Sequence, residues 1–468
     1  MKKILLFTFI FTVFISSAQT LSFTDQAVLF SSDDNYGTAR YVAMSGAFGA
    51  LGGDMTAVEI NPAGLAVFSI PQFSTSMSLR NANTKSSFYG NTLNTSDDYF
   101  RFSQIGGVLT LANYTNSDWK KFTLGFNYNL VKDYNNNFIA EGNSGIPFFV
   151  EDPYLNYDRD PSNDIFYDNV DNQFFGSFIS GSNDKFSFSF ASQYKELLYL
   201  GASLTFHNIN FFQTTTYEEL NNDGNGNLLD AFNDQSLSTY GNGFNFGLGA
   251  ILKPIENLRV GVSYQSPIWY NLSESFIVNS FPNDPNEPYG WVDGYLDIIV
   301  SNDSETFQNF TNPNFFDYEL KTPSKFTGSL AYVFGNIGLI SFDYIFQNYT
   351  NTKLQPSSAF IDENQDLANG LKNTSSFKLG TEWRYKLLSF RGGYRLIQNP
   401  YKNFDSSFDV TGYSFGLGIK LTPSVKLDFA YDNASNSDEY QFLNVDGAEP
   451  VELDYSNDRF TSTLVISF

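Results

Sequence analysis

The chain of 468 residues has no cysteine and a single histidine. Without cysteine there is no disulfide, thiolate zinc site, iron–sulfur cluster, cysteine nucleophile or lipidated N-terminal cysteine. One histidine leaves little room for a histidine metal site or a Ser–His–Asp triad. Basic residues are also scarce, 27 Lys and Arg against 50 Asp and Glu, for a net charge of −23. That balance argues against binding nucleic acid, whose phosphates need clustered Lys and Arg. It argues equally against electrostatic docking on an anionic membrane surface. No metal, cofactor or enzymatic motif stands out, so the chain reads as a non-enzyme. Long apolar runs are missing too. The apolar stretch Ile4–Ile15 has 12 residues, short of the roughly 20 that a helical span needs. It follows Lys2 and Lys3 and precedes Ser16-Ser17-Ala18. Residues 1–18 therefore read as a secretory signal cut ahead of Gln19, and the mature protein is exported.

What the chain has in excess is aromatic residues, 50 Phe and 29 Tyr, at a mean hydropathy of only −0.25. They fall in period-2 segments. Phe377, Leu379, Trp383 and Tyr385 alternate with Lys378, Gly380, Glu382 and Arg384. Leu388, Phe390, Tyr394 and Leu396 alternate with Ser389, Arg391, Gly393 and Arg395. Tyr413 to Leu421 and Val425 to Tyr431 repeat the pattern. Segments of about 10 residues with one apolar, aromatic-ended face and one charged face suit tilted strands crossing a bilayer around a wet lumen. A soluble sandwich would alternate as well, but its outward faces would not need aromatic girdles.

Fourteen such segments can be counted between 72 and 468, an even number as in single-chain bacterial barrels. Their connections sort by length. Short ones fall at 113–120, 194–196, 254–257, 335–336, Leu387–Leu388 and 422–424. Long ones fall at 81–99, 134–184, 218–238, 272–313, 351–372, 398–410 and 435–455. The expected fold is all-β: a 14-stranded antiparallel transmembrane β-barrel in an outer membrane, both ends on the periplasmic side. Outer-membrane lipids and the barrel-assembly machinery would then be its partners. The long connections hold much of the acid: 272–313 and 435–455 contain no Lys or Arg. A solvated, repulsive surface explains that most simply. Asn221-Asn222-Asp223-Gly224-Asn225-Gly226 half-resembles a calcium loop, but its twelfth position is Phe232 rather than Glu.

Residues 19–70 do not alternate and are rich in Gly and Ala, as a segment packed inside a wide barrel could be. The domain reading is thus 1–18 signal, 19–70 N-terminal plug or hatch, 71–468 barrel. Within the plug, Gly37 to Phe48 followed by Asn61-Pro62-Ala63 resembles the FadL/TodX family of outer-membrane transporters. Thr322-Pro323-Ser324, the Leu198–Phe206 segment and the terminal Phe468 are similar to that family as well. The resemblance implies a 14-stranded barrel with an N-terminal hatch. It implies passive uptake of long-chain fatty acids and other hydrophobic or amphiphilic small molecules, which leave sideways into the bilayer beside a kinked strand. It also makes Asn61, Pro62, Ala63, Phe48 and Leu65 candidate gating or substrate contacts. From the residues alone, Asn61-Pro62 is a turn, since Pro fixes φ and removes a donor.

Arg384, Arg391 and Arg395 lie on polar faces of adjacent strands. They form either a ladder paired with Asp343, Asp428 and Asp432 or a patch for a carboxylate head group. His207 falls on an inward face without an acidic neighbour or serine motif. The strand 100–112 changes phase across Gln104-Ile105-Gly106-Gly107, from Phe100 and Phe102 to Ile105, Leu109 and Leu111. Gly106 and Gly107 are therefore candidates for a kink that opens a lateral exit. The competing reading is a structural or adhesive barrel acting through its acidic outer loops.

Overall fold

The computed structural model describes residues 20–112, 117–150, 165–277, 297–301, 306–308 and 314–468. The signal at 1–18 and the acidic stretch 278–296 lie outside the described residues. The alternating segments become wall strands β1 (Gln72–Phe88), β2 (Asn91–Ala112) and β3 (Trp119–Asp133, continued by Asn136–Gly142). They go on as β4 (Asn169–Tyr194), β5 (Leu198–Asn222), β6 (Leu228–Ile255) and β7 (Leu258–Gln265 with Trp269–Ile277). Next come β8 (Asn314–Lys321 with Lys325–Phe334), β9 (Gly338–Asn348), β10 (Asn373–Tyr385) and β11 (Leu388–Ile397). The wall ends with β12 (Val410–Lys420), β13 (Val425–Tyr440) and β14 (Val451–Ser467).

Each strand pairs antiparallel with its neighbours in sequence, and β1 pairs with β14 from Gln72–Ser467 to Ser87–Glu452. The ring is closed, so no edge runs the length of the sheet. Closure lets a strand fold sit in lipid, because the backbone groups bond within the wall. The outward set is apolar and exposed, for example Leu379, Phe390, Phe415 and Phe460. The inward set is buried, including Thr461, Ser414 and Glu382.

Several long connections prove to be strand. The sequence placed a loop at 81–99. Instead β1 and β2 run on to a tight turn at Tyr89-Gly90, where Tyr89 has φ 42 and Gly90 φ 88. The connections at 134–184, 218–238 and 435–455 shorten for the same reason. Beyond the lipid band the outward residues become Asn, Ser, Thr and Asp. The apolar alternation then fades while the backbone ladder continues. Glu274, read as part of a solvated loop, is a buried residue of β7 that accepts from Tyr318 and Thr239 hydroxyls at 3.0 and 3.1 Å. Prolines interrupt β7 and β8 side by side, at Ser266-Pro267-Ile268 and Thr322-Pro323-Ser324. There Pro removes a ladder donor, and Thr322 Oγ1 takes the Ile268 N–H at 2.9 Å.

The N-terminal segment 20–70 touches the inward faces of strands all round the ring. It contains α1 (Phe23–Ser31), α2 (Ala39–Ala43), α3 (Ala57–Ile60) and a 3-10 turn at Pro62–Val67. α1 is capped by Ser22, whose hydroxyl accepts from Asp25 N–H. Its Ala27 and Phe30 pack with Phe211, Tyr270, Tyr318 and Leu320. Helix α4 (Ile361–Gly370), from the β9–β10 connection, joins the same cluster through Leu367. α1 therefore sits in the half of the barrel that carries the long connections. Both ends of the wall lie at the opposite rim, as the sorting of the connections predicts: Phe468 N–H bonds Pro71 C=O at 3.1 Å, just before β1, beside the short turns.

Candidate functional site

Asn61 caps the 3-10 turn, with Pro62 at its first position. Its Oδ1 accepts from Ala63 N–H at 3.1 Å. Its Nδ2 donates to Gly49 C=O at 2.7 Å and to the wall carbonyls of Ala250 and Val262 at 3.2 and 3.4 Å. The wall makes room with glycine. A Cβ on Gly249 would lie 1.9 Å from Asn61 Oδ1, and one on Gly201 would lie 2.4 Å from Pro62 carbon. Asn61, Ala63, Phe48 and Leu65 are all at most 1 % exposed. The motif is thus a corner pinned to β6 and β7. Phe48 N–H and Gly49 N–H both bond Asp343 Oδ2, at 2.9 and 2.8 Å, which fixes the segment to β9. The inward glycines that the sequence suggested as part of a wet lumen are here the seats of this segment.

The three arginines do not form a free patch. Glu382 receives Arg391 Nε at 2.7 Å, Arg384 Nε at 2.8 Å and Arg40 Nε, from α2, at 2.8 Å. Arg391 also reaches Asp428 at 2.6 Å. Arg395 forks onto Asp432, which further accepts from Asn35 Nδ2 at 3.0 Å. The Arg391 and Arg395 side chains are 0 and 4 % exposed, against 37 % for Arg384. Arg391 and Arg395 are members of a ladder, and only Arg384 can meet a solute. The sequence could not show that Arg40, Asn35 and Asp34 come from the N-terminal segment to complete that ladder. Arg459 on β14 stacks over Tyr36 at 3.7 Å and faces Asp432 and Asp34 at 3.5 and 3.7 Å.

Asp33 joins Lys325 of β8, and Glu59 joins Lys185 of β4 at 3.2 Å. Burial would raise the Asp33 carboxyl, but the Lys325 and Lys185 charges outweigh it and hold it well below its ordinary value. His207 shares their polar cavity, with Nε2 3.2 Å from Asn245 Oδ1 and its ring against Tyr270. The calcium-like sequence forms the β5–β6 hairpin tip. There Asn227 and Asn225 bond Asp223 and lower its pKa to about 2.

The phase slip in β2 falls at Ser103-Gln104, where Ser76 pairs with Gln104 and Met77 with Phe102. Both Ser103 and Gln104 point inward and are fully buried. Gly106 and Gly107 lie just beyond, paired on both sides with Ser74, Phe73, Asn127 and Phe126. No gap stands at the glycines themselves. The β2–β3 ladder instead stops at Gln104–Asn129. Above that pair β2 has only β1 as a backbone-paired neighbour, and side chains such as Asn137, donating to Asp97 at 3.0 Å, link it to the β3 continuation. The β3 continuation passes behind the β1–β2 hairpin, where Asn136 Oδ1 meets Thr84 Oγ1 at 3.1 Å. Below the bulge, the lipid face of β2 to β5 holds an apolar groove of about 800 Å³, lined by Gly107, Leu109, Leu124, Phe126, Phe188 and Leu204. The wall there is one backbone thick. Gly125 lines the groove, and on its inner side a Cβ would meet Leu65 Cδ1 at 2.7 Å.

No protein-family model and no curated protein matches the sequence. Solved structures do match in fold. A FadL homologue from Pseudomonas aeruginosa is 12 % identical with a TM-score of 0.60, over 94 % of this chain and 100 % of that one. The toluene transporter TbuX of Ralstonia pickettii is 16 % identical with a TM-score of 0.51, over 93 % and 99 %. The toluene transporter TodX of P. putida is 14 % identical with a TM-score of 0.51, over 93 % and 99 %. The chain has the fold of these FadL-type barrels along its whole described length.

Proposed function

We propose that this barrel, with the fold of the FadL-type channels, takes up hydrophobic small molecules passively across an outer membrane. Two of its structural neighbours are the toluene transporters TbuX and TodX. Long-chain fatty acids are a further substrate class for the same path. The observation that carries the reading is the pairing of Leu65, inside the wall, with the apolar groove outside it at Gly125 and Gly107. An apolar solute moving along the N-terminal hatch would reach the wall where Gly125 puts no side chain between Leu65 and the groove. The end of the β2–β3 ladder offers a lateral exit just above, so the solute need not cross periplasmic water. Residues 1–18 act as the export signal, 19–70 as the hatch and 71–468 as the channel wall.

The test is uptake of radiolabelled toluene and oleate by cells that lack their own channel of this kind. Expression of the full chain should raise the rate several-fold for at least one of the two. Correct insertion with no gain for either overturns the reading.

A further inference from the structure

At the periplasmic mouth the N-terminal segment and the wall enclose a cavity of about 550 Å³. Six of the chain's 27 Lys and Arg line it: Arg40, Arg259, Arg384, Lys386, Lys420 and Lys426. Only three carboxylates share it, and each is already engaged. Glu382 holds Arg40, Arg384 and Arg391. Asp428 holds Arg391 and Lys426. Asp54 accepts from the Thr38 hydroxyl at 2.8 Å and Thr56 N–H at 2.9 Å. Among the described residues, Arg259, Lys386 and Lys420 have no carboxylate within ion-pair distance. Lys386 rests over the Tyr385 ring. Arg259 donates one Nη to Leu51 C=O at 2.6 Å, while its Nε is buried without a hydrogen-bond partner.

A half-buried guanidinium among five other cations, with one donor unmet, is unfavourable unless an anion completes it. Beside the polar Thr38, Gln72, Ser74 and Ser389, the lining has an apolar part that includes Leu51, Met55, Val67, Val333 and Leu339. We infer that this cavity binds the anionic head of an amphiphile, a carboxylate or a phosphate, with Arg259 as its principal donor and the apolar wall against its tail. The planar fork of arginine suits both anions. The inference rests on the uptake reading only in placing the site on a transport path. Binding is a separate equilibrium, so either idea can fail alone.

The experiment is equilibrium binding of radiolabelled laurate to the detergent-purified full chain, with methyl laurate as the neutral control. Arg259→Gln should weaken laurate about tenfold or more, as loss of a charge-assisted bond does. Lys420→Gln, at the exposed end of β12, should weaken it about threefold, a rim charge being worth less. Methyl laurate should bind both variants as it binds the unaltered chain. Competition by inorganic phosphate at millimolar concentration extends the site to phosphate heads. Its failure to compete confines the site to carboxylates. Unchanged laurate affinity in both variants, or equal losses for laurate and its methyl ester, overturns the proposal. Heat-modifiable gel migration checks that each variant is folded, and Lys420→Gln carries the test should Arg259→Gln not insert.

Discussion

Arg101 of β2 forks across to Asp133 of β3, its Nε and Nη2 each 3.1 Å from a different carboxylate oxygen. The bridge stands above the last backbone pair, Gln104–Asn129. Side chains there do what the ladder no longer does. Arg80 reinforces them from β1, donating to the Asp133 carbonyl at 3.2 Å. If the split is a lateral exit, this ion pair is its latch. Arg101 is a third exposed, so the pair is worth only about 0.5–1 kcal/mol. Arg101→Gln should therefore raise the uptake rate of a hydrophobic probe about two- to fivefold, with normal insertion. A rate equal to that of the unaltered protein would show that the split is not gated there.

Glu382 carries a heavier load. It is 1 % exposed and answers three guanidinium groups, one of them from the N-terminal segment. Glu382→Gln leaves Arg391 with only Asp428 and leaves Arg40 and Arg384 without a carboxylate partner. Removing one partner of a buried pair costs about 3–5 kcal/mol. Urea unfolding followed by gel migration should show a clear drop in midpoint. An unaltered midpoint would mean that water reaches the ladder freely.

The corner at Asn61 gives a test of the hatch without deleting it. Gly249→Val would drive a side chain into Asn61 Oδ1, since even a Cβ would lie 1.9 Å away. The backbone pairs of β6 with β5 and β7 do not depend on that side chain. The barrel should insert, the segment should be displaced, and sugar permeation in a liposome swelling assay should rise. Unchanged permeation would mean that the segment does not limit the pore.

What the sequence displayed was the lipid band. There each outward residue must be apolar and each inward one need not be, so period 2 is plain in Phe377–Tyr385 and Tyr413–Leu421. Above the band the outward residues of Ser86–Phe88 or Asn433–Tyr440 need not be apolar, while Phe88 and Tyr440 pack inward on an aromatic cluster, so the outward-apolar period disappears although the strand does not. The ladder arginines were visible as inward residues. So were two of their partners, Asp428 and Asp432. The share supplied by the N-terminal segment was not, because Arg40 and Glu382 are 342 positions apart and no local pattern joins them. The bulge showed as a change of phase but was attributed to the glycines. In the structure it lies at Ser103-Gln104, where two consecutive polar side chains both face inward and bond Ser78, Ser74 and Asn127.

The two glycines nevertheless separate the two faces of the wall. Gly107 faces lipid, and a Cβ built there meets the Phe126 ring at 2.9 Å over the apolar groove. Gly106 faces the lumen, and its Cβ meets Asn127 Oδ1 at 2.5 Å and the Phe126 carbonyl at 2.9 Å. A ring can swing away, whereas a backbone carbonyl in a ladder cannot without breaking its pairing. Gly107→Val should thus keep the barrel intact while filling the groove, and uptake of a hydrophobic probe should fall several-fold. Gly106→Val should instead lower the unfolding temperature seen by gel migration, because the ladder beside the bulge must shift. If Gly107→Val inserts normally and takes up the probe at the original rate, the groove is a feature of the lipid face alone, and the solute leaves elsewhere.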